Sequence, residues 1–250
     1  MKCYGLIGFP LSHSFSIKYF SEKFEREGIT NCSYANYPIE HIGLLPQLIA
    51  DNENLVGLNV TIPYKEQVIP YLDKVDDDIA SVGAINTIKI IRQGGKIQLK
   101  GYNTDVYGFG ATLKPWLKEH YRSALILGTG GASKAAAFVL KGLGFEIIFV
   151  SRNPKNDKQI SYAQVTPEIL AVARVIVNAS PAGMYPDTNS CPPIPYECLT
   201  SDHVLFDLIY NPPETKFLAI GRKMGAKVIN GLQMLQLQAE RSWKIWNVDC

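Results

Sequence analysis

The turn Gly128-Thr129-Gly130-Gly131-Ala132-Ser133 constrains the fold of this chain more than any other segment. It follows a short apolar run, Ala124 to Leu127, and opens an alanine-rich run, Lys134 to Leu143, that Gly144 closes. A strand-sized apolar run, then small residues, then helix formers is the pattern of a β-strand feeding an α-helix. Glycines there let backbone N–H groups approach an anion at the helix N-terminus, where the helix dipole also favours negative charge. Ser133 stands where the usual Gly-x-Gly-x-x-Gly spacing has its third glycine, so alone the turn is equally compatible with a tight structural bend. Its surroundings favour the nucleotide reading. Glu146 to Val150 reads as the next strand, Val175 to Asn178 and Val204 to Leu208 as later ones, and Glu214 to Met224 as a helix. Strands separated by helical segments imply a parallel sheet with right-handed crossovers. A Rossmann-like, doubly wound dinucleotide-binding domain is expected over 102–231.

The chain before this domain is also α/β. Lys2 to Ile7, Asn31 to Tyr37 and Gly57 to Val60 read as strands. Ile17, Phe20 and Phe24 fall at helical spacing, with a stop at Gly28, and Ile42 to Ile49 reads as a helix. Thr87 to Ile91 and Lys96 to Lys100 flank Gly94-Gly95, a hairpin signal. A first domain is expected over 1–101, with a last helix in 232–250 packing back on it.

Composition excludes several classes. With 46% hydrophobic and 19% charged residues the chain is an ordinary globular protein rather than a disordered one. A formal charge of +2, without a basic stripe, gives no reason to expect nucleic acid. Apolar runs are strand-sized and no leader precedes Cys3-Tyr4-Gly5-Leu6-Ile7, so a cytoplasmic protein is expected. Five cysteines lack any Cys-x-x-Cys pair and four histidines lack ligand spacing, so neither a disulfide framework nor a metal is expected.

The residues after the second strand of the nucleotide-binding pattern bear on the cofactor. NAD enzymes place an acid there, about twenty residues past the glycine turn, to bind the ribose hydroxyls. This chain has Ser151-Arg152-Asn153-Pro154-Lys155. An arginine can grip a 2′-phosphate with a two-pronged, charge-assisted contact that a carboxylate would repel. NADP is the expected cofactor, against the plain alternative that Arg152 and Lys155 are solvated surface charges. Lys65, in Val60-Thr61-Ile62-Pro63-Tyr64-Lys65, and Asp105, in Asn103-Thr104-Asp105, are the catalytic candidates. Reduction of a ketone leaves an alkoxide needing a proton, which an ammonium supplies, and a carboxylate would orient that ammonium. The loop Gly8 to Ser16 is dense in hydroxyls. Ser14 and Ser16 could hold a substrate carboxylate or cap a helix, and His13 reads as structural.

These motifs, in this order, resemble those of the shikimate dehydrogenase family. The resemblance runs through Gly8-x-Pro10-x-x-His13-Ser14-x-Ser16, Asn59 to Lys65, Gly83-Ala84-Ile85-Asn86-Thr87, Gly101 to Asp105 and Gly128 to Ala132. It continues through Asn178 to Met184, Asp207-Leu208-Ile209-Tyr210 and Gly231-Leu232-x-Met234-Leu235-x-x-Gln238-Ala239. It implies reversible, NADPH-linked reduction of 3-dehydroshikimate to shikimate in aromatic amino-acid biosynthesis. By the resemblance, Ser14 and Ser16 would bind the substrate carboxylate, Thr61, Asn86, Asp105 and Gln238 the ring hydroxyls, and Tyr210 would lie at the pocket. Lys65 would be the acid/base and Asp105 its partner. Gly128, Thr129, Gly130, Gly131 and Ala132 would hold the pyrophosphate and Ser151, Arg152 and Asn153 the 2′-phosphate end. Leu208 and Gly231 would stand near the nicotinamide, and Asp77 matches a further cofactor position. Small-molecule ligands are the implied partners, with the protein a monomer or homodimer.

The chain departs from the family pattern in three places. Ser151 and Asn153 replace the outer residues of the usual Asn-Arg-Thr. The segment from Arg152 to Val175 is short, with little room for a helix between the second and third strands. The usual C-terminal extension beyond Trp246 is curtailed. The competing readings are an NAD-preferring quinate/shikimate dehydrogenase and a non-catalytic NADP- or shikimate-binding regulator. The latter would be expected to lose Lys65 or Asp105, and both are present.

Overall fold

The computed structural model describes residues 1–11 and 15–247, with the backbone alone described at 78 and 79. The chain divides into two compact units, Met1–Thr104 with Gln238–Cys250, and Asp105–Leu237.

The first unit runs β1 (Lys2–Gly8), α1 (Phe15–Arg26), β2 (Cys32–Pro38), α2 (Leu45–Asp51), β3 (Leu55–Val60), α3 (Tyr64–Gln67), β4 (Lys74–Val75), β5 (Thr87–Gln93) and β6 (Lys96–Tyr102). Its six-stranded sheet has the order β2-β1-β3-β5-β6-β4. The strands joined through helices, β1, β2 and β3, pair in parallel, and the β5–β6 hairpin joins antiparallel to β3. The hairpin turn is Gly94-Gly95, both at positive φ (57° and 75°), as a two-residue turn matched to strand twist needs.

The second unit begins within α4 (Thr104–Leu113) and runs β7 (Ser123–Leu127), α5 (Gly131–Gly142), β8 (Glu146–Val150), β9 (Gln159–Ile160), α6 (Pro167–Val172), β10 (Val175–Asn178), β11 (Val204–Asp207), α7 (Lys216–Lys223) and β12 (Lys227–Ile229). The sheet order is β12-β11-β10-β7-β8-β9 with every pairing parallel. Counted from β7, this is the doubly wound 3-2-1-4-5-6 order, whose switch point lies between β7 and β10. Each residue of β7 is buried because both faces of the sheet are covered. Ala124 and Ile126 join a core with Phe109, Ala136, Leu140 and Phe206, while Leu125 and Leu127 join one with Leu170, Ile176 and Phe217.

Helix α8 (Leu232–Asn247) leaves the second unit, and from Gln238 it belongs to the first. There Ala239 and Trp246 share a cluster with Tyr4, Phe20 and Phe24. Trp246 Nε1 donates to Ile88 O (2.9 Å), and Lys23, 3% exposed, donates to both oxygens of Glu240 (3.0 and 2.9 Å). Among the described residues no helix is long and apolar enough to cross a membrane.

The expected short segment after β8 takes an unexpected form. A helix-free loop carries the chain from β8 to β9, a two-residue strand unseen in the sequence, and α6 then leads to β10. Val175–Asn178 is therefore the fourth strand of its sheet rather than the third.

Candidate active site

In the first unit the apolar strand β3 carries Asn59 next to its last residue, Thr61 follows the strand, and β5 begins immediately after Asn86. The Asn86 side chain is buried and its polarity is set by its neighbours. Its Oδ1 accepts the N–H of Thr104 (2.7 Å) and lies 3.2 Å from the hydroxyls of Thr87 and Thr104. Its Nδ2 therefore points the other way and donates to Gln238 Oε1 (2.9 Å). Gln238, engaged through its oxygen, presents its Nε2 as a donor.

Beneath this pair lies a buried polar network. Tyr34 donates to Asn59 Oδ1 (2.8 Å), and Asn59 Nδ2 donates to Ser242 Oγ (3.0 Å) and Thr87 Oγ1 (3.3 Å). Thr87 and Ser242 hydroxyls lie 2.8 Å apart, and Ser242 also donates to Gln238 O (3.0 Å). Ser16 hydrogen-bonds Tyr34, whose phenol is pushed up chiefly by burial and so stays neutral. A buried network in which each group finds a partner fixes the direction of the groups at its edge.

Lys65 sits in α3, half-buried, and its carbonyl accepts the Ile85 N–H (2.7 Å), one residue from Asn86. Thr61 is half-buried, with its N–H on Ile7 O (2.9 Å). The first unit thus holds Ser16, Thr61, Lys65, Asn86 and Gln238, of which Asn86 and Gln238 are joined directly by a side-chain hydrogen bond. Asp105 is buried in the first turn of α4, directly after Thr104, whose N–H Asn86 holds. Ser14 and His13 lie outside the described residues. Asp77, exposed, opens a short 3-10 helix of the first unit.

In the second unit the glycine turn leaves β7 at Gly128, with φ +111° and its N–H on Val150 O (2.8 Å). A Cβ at Gly128 would stand 2.9 Å from Ala179 O, so only glycine fits this conformation and this approach. Gly130 caps α5 without a side-chain hydrogen bond, and Thr129 and Gly130 are exposed. Ser133, in the third glycine's place, folds its hydroxyl onto Gly130 O (2.6 Å) and is buried. The outermost N–H groups of α5, near Gly131 and Ala132, are thus left to an anion. After β8, Ser151 Oγ accepts the Asn153 N–H (3.2 Å), an inner turn that carries exposed Arg152 at its corner. Leu208 follows β11 with its N–H on Asn178 O (3.0 Å), and Gly231 donates to Ile209 O (3.0 Å). Tyr210 is 36% exposed, and burial of the rest raises its phenol.

A profile of the shikimate dehydrogenase substrate binding domain matches residues 6–88. The shikimate dehydrogenase (NADP(+)) of Carboxydothermus hydrogenoformans is 37% identical over 98% of this chain and 91% of its own length. The chain belongs to the shikimate dehydrogenase family. Among solved members, the Thermus thermophilus enzyme in complex with NADP(H) and shikimate is 30% identical with a TM-score of 0.83, covering 99% of this chain and 94% of its own. Quinate dehydrogenase from Corynebacterium glutamicum in complex with NAD is 26% identical with a TM-score of 0.85, covering 98% and 93%. The family architecture, an N-terminal α/β substrate domain followed by a Rossmann-like nucleotide-binding domain, is the one expected from the sequence.

The residues that sequence reasoning passed over are those behind the site. Asn59, Asn178 and Asp207 occur in family motifs but received no role, and Thr215 lies outside them. A polar residue ending an apolar strand, as in Val175–Asn178 and Val204–Asp207, is the signal that marks two of them.

Proposed function

We propose that this chain is an NADP-dependent shikimate dehydrogenase, interconverting 3-dehydroshikimate and shikimate. The orientation of Asn86 between Thr104 and Gln238 supports this reading most directly. It makes one edge of the first unit a row of neutral donors and acceptors of defined direction. Such a row suits a polyhydroxylated ring, because a substrate lacking a matching hydroxyl leaves a polar group unpaired at about 1–3 kcal/mol. Thr61, Asn86, Gln238 and Asp105 bind ring hydroxyls, Ser16 and Ser14 the carboxylate, and Tyr210 borders the ring.

The second unit fits a dinucleotide bearing a 2′-phosphate. Gly128, Thr129, Gly130, Gly131 and Ala132 would hold the pyrophosphate against bare backbone N–H groups. Ser151, Arg152 and Asn153 would hold the phosphate, with no carboxylate there to repel it. Leu208 and Gly231 border the nicotinamide end, and Asp77 is a further cofactor contact. NADPH, when bound, supplies the hydride. The Lys65 ammonium donates a proton to the ketone oxygen as it becomes a hydroxyl, and takes it back in the reverse direction. Asp105 would orient that ammonium. We place the enzyme in the cytoplasm as a monomer or homodimer acting on small molecules.

Lys65→Ala tests the assignment. Turnover should fall by about a hundredfold or more, close to 3 kcal/mol in barrier, while the shikimate Michaelis constant changes far less. A Lys65→Ala enzyme with near-normal turnover would refute the role.

A further inference from the structure

At the carboxyl end of the second sheet, Asp207 is fully buried at the last position of β11. Its Oδ1 accepts Asn178 Nδ2 (3.1 Å) from the end of β10 and the Ile209 N–H (3.0 Å) from the loop after β11. Its Oδ2 accepts the hydroxyl of Thr215 (2.5 Å), which in turn caps α7 by accepting the Leu218 N–H (3.4 Å). All three partners are donors, the arrangement a carboxylate requires. The contacts continue outward from Asn178. Its Oδ1 accepts the Ser180 N–H and hydroxyl (3.1 and 2.7 Å), and its Nδ2 also reaches Ala182 O (3.2 Å). Ala179, between them, is the residue whose carbonyl closes on Gly128.

Packing alone gives no reason for a carboxylate here. Phe206, Leu205 and Val177 around it are buried and apolar, and an apolar residue of similar size at such a site is commonly no less stable than a buried charge. What the carboxylate does that an apolar residue cannot is bind three separate chain segments at one point: the 178–182 loop, the start of the 208–214 loop and the N-terminus of α7. The second of these loops touches Gly231, where a Cβ would stand 2.2 Å from Leu208 O.

We propose that Asp207 is a positioning residue for hydride transfer, setting where Leu208 and Gly231 stand at the nicotinamide end of the cofactor; this rests on the function proposed above. Burial pushes the Asp207 carboxyl up to about 6, against the pull of Thr215, Ile209 and Asn178. The group is thus held at a cost, and the donors around it are what keep it in place.

The test uses the full-length enzyme and the variants Asp207→Ala, Thr215→Val and Thr215→Ser. Shikimate-dependent kcat with NADP is measured beside the dissociation constant of adenosine 2′,5′-bisphosphate, which represents only the adenosine end of the cofactor. In Asp207→Ala, kcat should fall at least about tenfold while binding of the bisphosphate stays within about twofold. Thr215→Val keeps the shape and removes both the hydroxyl's donation to Asp207 and its cap on α7, so it should move kcat the same way, and Thr215→Ser, which keeps both, should restore it. If Asp207→Ala does not fold, the two Thr215 variants carry the comparison. An unimpaired kcat in Asp207→Ala, or in Thr215→Val, overturns the inference. A parallel loss of kcat and bisphosphate binding also overturns it, since that marks general loosening of the unit. A wild-type enzyme without shikimate-dependent turnover sinks the proposed function itself, which separates the two failures.

Discussion

In the proposed function, the choice between two dinucleotides rests on single side chains at the end of β8. Ser151-Arg152-Asn153 places an exposed guanidinium, and no acid, at the corner of a turn that Ser151 stabilises from inside. Arg152→Ala should therefore raise the Michaelis constant for NADP by about tenfold or more and leave that for NAD within about twofold, read from paired initial-rate series. Equal changes for both cofactors would contradict the phosphate role. Asp207 makes a second residue-level prediction. Its carboxyl is raised by burial from 3.8 to about 6, so its contribution to folding is fully present below pH 3.8 and is lost as pH rises through 6. Relative to Asp207→Asn, which cannot ionise, the wild-type protein should lose up to about 3 kcal/mol of stability between pH 4 and pH 7. Urea titrations of both proteins across that range would show it, and a constant difference would contradict it. Asn178 and Asp207 stand out in the sequence as polar residues ending apolar strands, but the partners they bind are set by hydrogen bonds between distant segments, which no local pattern shows.

Elements were legible where periodicity or a turn marks them. Glu146–Val150 has the bounds its apolar run predicts, and the Gly94-Gly95 hairpin is legible because its turn needs those glycines. Helix α4 is hard to read from the sequence for a physical reason. It contains Gly108 and Gly110, poor helix formers, and the first-turn N–H of Thr104 is satisfied by Asn86, far away in sequence. Strands β4, β9 and β12, of two or three residues, are too short to carry an alternating pattern. Helix α8 offers the prediction at this scale. Trp246 is 4% exposed, lies 5.0 Å from the Tyr4 ring in a stacked pair, and donates to Ile88 O. Trp246→Ala should cost about 3–5 kcal/mol in chemical denaturation through the cavity and the lost bond. A loss below about 1 kcal/mol would mean that α8 does not hold the first unit together in the way its contacts indicate.

The whole molecule combines two units with separate cores and separate chemistry. One offers directed neutral hydrogen-bonding groups around Asn86 and Lys65, and the other a parallel sheet whose glycine turn and β8 corner suit a phosphorylated dinucleotide. Membership of the shikimate dehydrogenase family, at 37% identity across nearly the full chain, joins these halves in one reading. The chain also has a quinate dehydrogenase in complex with NAD among its solved structural neighbours, so substrate and cofactor must be tested together. The decisive measurement is a set of initial oxidation rates for shikimate and for quinate, each with NADP and with NAD. The account predicts strong activity for shikimate with NADP and, for the other three pairs, specificity constants lower by about a hundredfold or more. Comparable rates with NAD or with quinate, or no turnover with any pair, would contradict it.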